Sequence, residues 1–572
     1  MKQFKYVKML AVLAGLSTLL VACGGAKTST QPAAAAGGAP TTTFHYYIVD
    51  KPTTFDPAMV SDVPTSQVIQ NIYSGLVTFN DKGEVVNDMA DKVDISADGK
   101  TYTFTLKDAY FTDGTKVTAQ DYVRSIVRAE NPALNSPVAS SYLNDIAGYH
   151  DFLDKQDAIN KDVDAKKISK DDATKQIQAA YDAMTKNPGI SAKDDKTLVI
   201  NIDQPRAYFL AKLTYPTAWP VSPKAPADKP IDASPANVSV AVGTGAFSLT
   251  GYTEGAKLTL KRNDKFYGDK ALVGNVDIQI ISSDQAQMAA YRAGQLDMSP
   301  IPPTDFKTVK ADPTLGKEVV VAPSARINYF TFNQKVFAPA QDLKIRQAFN
   351  YAIDRDKLND VVFSGTMIPA YGVLPAAIPG SLGDKVQGLK FDVNKANDLL
   401  KQAGYGEGGK QLSFKLTYRA KNETAQHLAE FLQSQFQTNL KNVKVDLDPM
   451  EWGKLLNAAD AKDQLQAFLL GWSADYLDPQ DFLSILLHTG SDSNNYNYSN
   501  KQFDAILDKA DVAKPGADRY AMYGQAEQIA VTDAAWSPLY YNQQLYVVKS
   551  FVKGMQINGM GVMPLNHVSV NK

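Results

Sequence analysis

The sequence contains one cysteine, five histidines and four tryptophans among 572 residues. The single cysteine, Cys23, excludes a disulfide framework and any thiol chemistry in the rest of the chain. The histidines lie far apart, form no His-x-x-x-His pair and have no cysteine partner, so no zinc site is predicted. An excess of charge of one sign is also lacking. Lys plus Arg number 59 and Asp plus Glu 61, which gives a net charge of -2 and no indication of a nucleic-acid partner.

Motifs for phosphate binding and hydrolysis are missing as well. Gly99-Lys100-Thr101 resembles the end of a P-loop, but Asp94 stands where the first glycine is required. No Gly-x-Ser-x-Gly nucleophile elbow occurs. Asp475 and Asp478 could act as paired carboxylates in acid–base catalysis, but Asp478 is interpreted as a helix cap and no activated nucleophile is visible. We therefore expect a protein that is not an enzyme and that carries no metal or other cofactor.

The composition supports large hydrophobic cores. Hydrophobic residues make up 44% of the chain, and the length corresponds to two to four domains. Tyrosines number 28. This surplus suits either a surface that binds partly polar ligands or ordinary packing in a β-rich protein, and composition alone leaves both readings open.

The N-terminal residues 1–22 resemble a bacterial lipoprotein signal peptide. Lys2, Lys5 and Lys8 precede an apolar run of export-signal length, which ends in Leu20-Val21-Ala22-Cys23-Gly24. This ending resembles the lipobox, in which the cysteine is lipidated. Residues 23–41 are rich in Ala, Gly, Thr, Ser and Pro and are predicted to form a flexible tether. We expect a lipid anchor at Cys23 that holds the protein on the extracytoplasmic face of a bacterial cell membrane, on a Gram-positive surface rather than in a periplasm.

Residues 464–498 hold the candidate site. The alternation over residues 464–469 predicts a strand that ends before Gly471, and Asp478 is predicted to cap a helix with Pro479 at its first position. Asp475 is therefore expected at a strand exit beside large aromatic residues. A carboxylate placed there either accepts hydrogen bonds from its own loop or holds a cationic group.

Several motifs together resemble the bacterial extracellular solute-binding proteins of the oligopeptide and dipeptide type, family 5. The segment Asp113 to Val123 resembles their Asp-Gly-x-x-Val-Thr-Ala-x-Asp signature. Further segments resemble the family in the same order along the chain: Phe55-Asp56-Pro57, Gly243 to Phe247, Lys261-Arg262-Asn263, Ile345 to Phe349, Ala352 to Arg355, Gly471 to Tyr476 and Asn495 to Ser499. The resemblance covers essentially residues 42–572.

The resemblance implies an α/β, two-lobe, three-domain fold like that of periplasmic binding proteins, with mixed β-sheets (type II, cluster C-like). Domain II is expected to contain a charged helical insertion at 151–186, and residues 298–539 alternate strands and helices in a βαβ rhythm. The implied domains are domain I from 42–73, 203–297 and 540–572, domain II from 74–202, and domain III from 298–539.

The resemblance also implies a function. The protein is expected to be a monomeric receptor that captures peptides between two closing lobes. It would deliver them to an ABC importer, made of membrane permease subunits and cytoplasmic ATPases. The peptide main chain would be bound as an added strand. The same fold also serves receptors for signalling peptides, nickel chelates, haem or sugars, and a surface sensor, adhesin or chaperone not coupled to transport is a further alternative.

The resemblance assigns residues to the ligand site. Asp475 would pair with the peptide α-ammonium, Gly471 and Ser473 would supply backbone pairing, Trp472 would wall a side-chain pocket, and Val63 would be a strand contact from the first lobe. The remaining expected ligand contacts are Tyr476, Asn328, Tyr329 and Tyr540. For the ligand carboxylate, Leu469 stands where a relative has a basic residue. Lys335, Arg419 and Lys421 are the candidates, and ligand length and side-chain preference stay open.

Overall fold

The computed structural model describes residues 42–80, 82–491 and 493–571. The predicted signal peptide, the tether and the lipidation prediction for Cys23 lie outside these ranges. The described strands are β1 Thr43–Ile48, β2 Val77–Phe79, β3 Val85–Asn87, β4 Ala90–Ile95, β5 Thr101–Leu106, β6 Ile190–Asp194, β7 Thr197–Asn201, β8 Phe247–Thr253, β9 Lys257–Arg262, β10 Asn275–Ile280, β11 Met298–Pro300, β12 Val319–Phe332, β13 Ile368–Pro369, β14 Leu412–Arg419, β15 Val443–Met450, β16 Ala467–Ser473, β17 Ser537–Val548, β18 Val552–Lys553 and β19 Ser569–Val570.

Helices separate most of these strands in the second half of the chain. The described α-helices are α1 Val63–Ile72, α2 Ala119–Ala129, α3 Ala139–Leu143, α4 Tyr149–Asp164, α5 Lys170–Met184, α6 Phe209–Lys212, α7 Asp284–Arg292, α8 Phe306–Ala311, α9 Leu343–Tyr351, α10 Arg355–Phe363, α11 Val393–Gln402, α12 Glu423–Asn439, α13 Trp452–Asp460, α14 Gln480–Leu487, α15 Lys501–Val512 and α16 Ala517–Thr532. The helical hairpin expected within 151–186 is present as α4 and α5.

Three larger sheets organise the described residues. Two have four strands each, in the orders β1-β10-β9-β8 and β4-β5-β7-β6. The third has seven strands, in the order β11-β17-β12-β16-β14-β15, with β13 paired to β17. In this sheet β14 runs parallel to both β15 and β16, whereas β12 is antiparallel to β16 and β17. These elements confirm the predicted α/β class with mixed sheets.

The seven-stranded sheet has a hydrophobic core on each face. Successive residues of β16 alternate between the two cores: Phe468 packs in one and Leu469 in the other. The same alternation holds in β12 for Tyr329 and Phe330. Because side chains of a strand point alternately to opposite faces, both faces of this sheet are covered where the strands are paired.

The predicted domain borders stay a prediction, and the packing bears on two of them. Ile301, Phe306 and Val309 fall in the predicted domain III, but they pack in the core that contains Phe44 of β1. The strand β17 runs continuously across the predicted border at residue 540.

Two local predictions are corrected by tertiary contacts. The strand predicted to end before Gly471 continues through Ser473, because β12 pairs with it as far as Arg326 opposite Ser473. The helix α14 begins at Gln480, with Pro479 at the N-cap. Asp478 accepts a hydrogen bond from the Gln480 backbone, and its two carboxylate oxygens each lie 2.7 Å from the Arg519 guanidinium, which anchors the loop before α14.

Candidate functional site

The strand β16 has an unpaired edge over its second half. Its neighbour β14 pairs with it only at Ala467 and Phe468 and then diverges. On its other side, β12 pairs with β16 through Ser473. From Leu469 to Ser473, β16 therefore has a partner strand on one side only.

The backbone groups of Leu469, Gly471 and Ser473 point to this open edge. The Ala474 N–H donates a 2.9 Å hydrogen bond to the Ala325 carbonyl, on the β12 side. The N–H and C=O groups of successive strand residues point to opposite sides of the strand. Those of Trp472 and Leu470 therefore also face β12, whereas those of Leu469, Gly471 and Ser473 face away from it. The Asn333 N–H also donates a 2.9 Å hydrogen bond to the Gln466 carbonyl, which has the same parity as Ala474. Unpaired edge groups of this kind accept an added strand.

Close packing explains the glycine in this edge. A Cβ atom on Gly471 would lie 2.6 Å from Asn328 Oδ1 and 2.8 Å from the Ile327 carbonyl oxygen. Because the second contact is with backbone, a side chain at 471 would push β16 and β12 apart. The glycine therefore allows the close approach of β16 to β12 beside Asn328.

Asp475 follows the open edge directly and is held by its backbone. Its N–H donates a 3.0 Å hydrogen bond to Asp481 Oδ2, and Trp472 Nε1 donates a 3.1 Å hydrogen bond to the same oxygen. Asp481 is completely buried in the first turn of α14. The Asp475 side chain is exposed, and its carboxylate accepts no hydrogen bond from the described residues. The carboxylate is thus available to a cationic partner.

The two carboxyl groups differ in their electrostatic surroundings. Burial, and then the charge of Asp475, raise the pKa of Asp481 well above its usual value. Desolvation by the surrounding protein also raises the pKa of Asp475, although its side chain keeps contact with solvent, and the charge of Lys212 opposes that shift. Lys212 is buried and its Nζ lies 2.6 Å from both Asn144 Oδ1 and Asp145 Oδ2. Lys212 is therefore already paired, and Asp475 remains the group that a ligand cation can approach.

Aromatic residues from the 142–215 segment pack against the Asp475 loop. The Tyr142 hydroxyl donates a 3.2 Å hydrogen bond to the Asp475 carbonyl oxygen, and its ring stacks on Tyr215 with centroids 3.7 Å apart. Tyr208 stacks on Tyr476 at 6.0 Å. These contacts join Tyr142 of the predicted domain II and Tyr208 of the predicted domain I to the loop that carries the candidate acid.

A cavity of about 590 Å³ opens where β14 and β16 diverge. We call it the two-arginine pocket, because Arg326 of β12 and Arg419 of β14 both line it. Gly471, Leu469, Asn328 and Tyr540 also line this cavity. The predicted residues Arg419, Gly471, Asn328 and Tyr540 are thus brought together. Sequence reasoning missed Arg326, since only the register of β12 against β16 places it opposite Ser473.

A second cavity, of about 400 Å³, lies between α1 and the C-terminal segment. It is lined by Ser66 and Gln70 of α1, by Tyr215, and by Asn558 and Met560. Tyr215 stacks on the tyrosine that contacts the Asp475 loop, so this cavity adjoins the acidic end of the site.

Four predicted ligand residues lie elsewhere or differ in conformation. Tyr329 is buried and stacks on Trp536 at 3.9 Å. Tyr476 is buried, and its hydroxyl donates to Gln480 Oε1. Lys335 lies beyond the end of β12 that pairs with Ala467, away from the two-arginine pocket. Val63 is 52% exposed but is the first residue of helix α1, so the strand conformation implied for this contact is replaced by a helical turn.

An open sheet edge beside an exposed acid, with a cavity at its other end, is the arrangement of a protein that binds an extended solute. Comparison with known proteins agrees: the family description "Bacterial extracellular solute-binding proteins, family 5 Middle" matches residues 84–494. The chain belongs to this family of bacterial extracellular solute-binding proteins.

Curated and solved relatives extend over nearly the whole chain. The chain is 30% identical to the periplasmic oligopeptide-binding protein OppA of Salmonella typhimurium, over 98% of this chain and 97% of that protein. It is similar in structure to the unliganded open form of the periplasmic murein tripeptide binding protein MppA, with 26% identity, a TM-score of 0.78 and coverage of 93% and 98%. The TM-score falls to 0.64 against Haemophilus influenzae OppA in complex with the peptide RPPGFSPFR, which is also 26% identical, with coverage of 93% and 99%. The described residues therefore resemble the unliganded open form more than the peptide complex.

Among the described helices, none combines the length and the hydrophobicity that a membrane span requires.

Proposed function

We propose that this protein is a receptor that captures peptides by their main chain and delivers them to an ABC importer. The observation that carries the proposal is the open edge of β16. Its unpaired backbone groups lie directly before the exposed carboxylate of Asp475 in the chain. Relatives named oligopeptide-binding proteins support the same ligand class. The protein binds its ligand and performs no chemistry on it.

The geometry suits a peptide with a free N-terminus. A peptide laid along Leu469 to Ser473 pairs its backbone with the outward groups of β16, which gives affinity without side-chain choice. Its α-ammonium then reaches Asp475. Desolvation raises the pKa of Asp475, which means that it disfavours the charged carboxylate. A bound ammonium stabilises this carboxylate. Trp472, held by Asp481, walls the space for the first side chain.

The location of the receptor follows from its N-terminal sequence. A lipid on Cys23 anchors the receptor to the extracytoplasmic face of the bacterial membrane, where the permease subunits lie. The receptor works as a monomer in this arrangement. Comparing the membrane and soluble fractions of cells that express Cys23→Ser tests the anchor.

The test of the proposed function is the binding of penta-alanine and of N-acetyl-penta-alanine, measured by isothermal titration calorimetry. Charge-assisted hydrogen bonds contribute roughly 1.5–3 kcal/mol, so acetylation is expected to weaken binding roughly 10- to 100-fold. The Asp475→Asn variant should bind the free peptide as weakly as the unsubstituted chain binds the acetylated one.

Asp463→Asn is the matched control, because Asp463 is an exposed aspartate on the loop before β16 and lines neither cavity. It should bind like the unsubstituted chain. Equal affinity of the unsubstituted chain for free and acetylated peptide would show that Asp475 does not hold the ammonium. Failure of both peptides to bind would contradict the peptide receptor itself.

A further inference from the structure

The cavity of about 400 Å³ between α1 and the C-terminal segment contains an acid without a cationic partner. Asp88, directly after β3, is the only acidic residue among the described residues that line it, and no described lysine or arginine lines it. We call it the Asp88 cavity. The Tyr267 hydroxyl donates a 2.5 Å hydrogen bond to Asp88 Oδ1, but the carboxylate forms no ion pair with a described residue. The protein therefore does not neutralise this charge by direct contact.

Burial makes the unpaired carboxylate unfavourable. Desolvation raises the pKa of Asp88 to about 6, against the opposing effects of the Tyr267 hydrogen bond and of Lys107. Lys107 Nζ lies over the Tyr267 ring, 5.7 Å from its centre, so this cation is engaged with the ring rather than with the carboxylate. A carboxylate that is kept from water is stabilised by a cation in direct contact with it. The Asp88 cavity therefore favours a positively charged group.

The other walls of the Asp88 cavity suit the long side chain of a basic residue. The side-chain amides of Gln70 and Gln556 line it, and neither forms a hydrogen bond with a described residue. Their carbonyl oxygens are acceptors for the N–H groups of an ammonium or a guanidinium. Aromatic rings pack well against an alkyl stem and attract a cation through their faces. The aromatic residues that line the cavity are Tyr73, Phe79, Tyr215, Trp219 and Phe266.

The Asp88 cavity adjoins the part of the site proposed to hold the peptide N-terminus. Tyr215 lines the cavity and stacks on Tyr142, with ring centroids 3.7 Å apart. The Tyr142 hydroxyl in turn donates a hydrogen bond to the Asp475 carbonyl oxygen. These two tyrosines connect the cavity to the residue proposed to bind the α-ammonium. The side chains nearest the N-terminus of a bound peptide are therefore the part of the ligand that lies closest to the cavity.

We infer that the Asp88 cavity binds the basic side chain, lysine or arginine, of one of the first three residues of the peptide ligand. Asp88 pairs with the ammonium or guanidinium group, and the aromatic walls pack against the alkyl stem. The receptor is therefore selective for peptides with a basic residue near the N-terminus. This inference rests on the proposed function. It adds a side-chain preference to the main-chain recognition by β16.

The experiment measures the binding of modified penta-alanine peptides to the full chain by calorimetry. A single lysine is placed at position one, two or three, and each peptide is compared with one that carries norleucine there. Norleucine has a similar stem without the charge. Each pair is repeated with Asp88→Asn, which keeps the shape of the side chain, and with Asp91→Asn as the matched control. Asp91 is an exposed aspartate of β4 that does not line the cavity.

A second variant supplies the cation from the protein itself. Val86 of β3 lines the same cavity as Asp88 and is 38% exposed. Val86→Lys therefore brings an ammonium group to Asp88, where it competes with the ligand side chain. Val86→Met controls for the change in size.

For at least one of the three positions, the lysine peptide should bind roughly 10- to 100-fold more tightly than its norleucine match. Asp88→Asn and Val86→Lys should each bring this ratio close to one, because the carboxylate is then removed or already paired. Asp91→Asn and Val86→Met should leave the ratio unchanged.

Two results would overturn the inference: ratios near one at all three positions, or a ratio that persists in either folded variant, Asp88→Asn or Val86→Lys. The norleucine peptides separate this failure from failure of the proposed function. If they bind and lose affinity on N-acetylation, the peptide receptor stands whether or not Asp88 selects a basic side chain. If neither member of any pair binds, the proposed function fails and the inference fails with it. Circular dichroism verifies folding, and if Asp88→Asn does not fold, the comparison of Val86→Lys with Val86→Met decides.

Discussion

At the scale of single residues, the two neighbouring carboxyl groups of Asp475 and Asp481 have different surroundings and different roles at the acidic end of the site. Asp481 is buried and accepts hydrogen bonds from Trp472 Nε1 and the Asp475 backbone, so it positions both residues. Burial, and then the charge of Asp475, raise its pKa well above the usual value. Asp475 has an exposed side chain, and it is the carboxylate that we propose to meet the ligand.

The raised pKa of Asp475 predicts how peptide affinity depends on pH. Desolvation raises this pKa in the free protein, whereas a bound ammonium would lower it again, so a protonated Asp475 must release its proton when the peptide binds. Affinity for penta-alanine should therefore fall as pH falls through the free-protein pKa. It should level off near the affinity of the acetylated peptide. Calorimetry between about pH 7 and pH 4, the range in which carboxylates titrate, measures this.

Asp475→Asn should remove the pH dependence, because no titrating group then contacts the ammonium. The other charged groups near Asp475 are Lys212 and Asp481, and both are present in the variant. An equal fall in affinity for the acetylated peptide would show that another group is titrating.

Sequence reasoning located the acid but not its surroundings. Asp475, Gly471 and Ser473 could be assigned because they lie together in one motif whose spacing is local. Arg326, Lys212 and Arg519 could not, because each meets the site from a segment distant in sequence. Tyr329 and Tyr476 were expected at the ligand. The alternation of side chains along β12 instead points Tyr329 into a hydrophobic core, and Tyr476 is packed against Tyr208.

At the scale of elements, the decisive feature is the divergence of β14 from β16. If β14 stayed paired through Arg419, it would occupy the backbone groups of Leu469 and Gly471. The divergence leaves both strands with free edges and forms the two-arginine pocket between them. One change in sheet geometry therefore creates both the open edge of β16 and the cavity beside it.

The direction of the backbone groups can be tested with proline, which removes an N–H. Ser473→Pro removes an N–H that faces the open edge, so peptide affinity should fall while the melting temperature changes little. Leu470→Pro removes an N–H that faces β12, so it should lower stability by roughly 3 kcal/mol or more through loss of sheet pairing. Thermal unfolding together with calorimetry separates the two effects. Equal destabilisation by both variants would contradict the assignment of the Ser473 N–H to the open edge and of the Leu470 N–H to β12.

Elements with a strong local pattern were predictable from the sequence. The strand expected over 412–418 and the helix over 423–440 are present as β14 and α12. The end of β16 was placed too early, because its last residues are strand only through pairing with β12, which lies more than a hundred residues earlier. The pairing of a strand edge and its register depend on such distant partners, so the local sequence pattern could not predict them.

At the scale of the whole molecule, the chain is more similar in structure to the unliganded open form of MppA than to the OppA–peptide complex. The TM-scores of 0.78 with the open MppA form and 0.64 with the OppA–peptide complex differ although the identity is the same. Tyr142 of the predicted domain II and Tyr208 of the predicted domain I already contact the Asp475 loop. In the proposed closure, a ligand draws the remaining first-lobe surface, which includes Val63 at the start of α1, toward β16.

Peptide binding is accordingly expected to make the molecule more compact. Small-angle X-ray scattering of the full chain should show a smaller radius of gyration at saturating penta-alanine than in its absence, since closure brings the two lobes together around the ligand. A ligand shifts such an equilibrium only by its difference in affinity for the two states. Asp475→Asn should therefore show little compaction at a peptide concentration that saturates the unsubstituted chain. An unchanged radius of gyration at proven saturation would contradict closure and would indicate a ligand held by β16 alone.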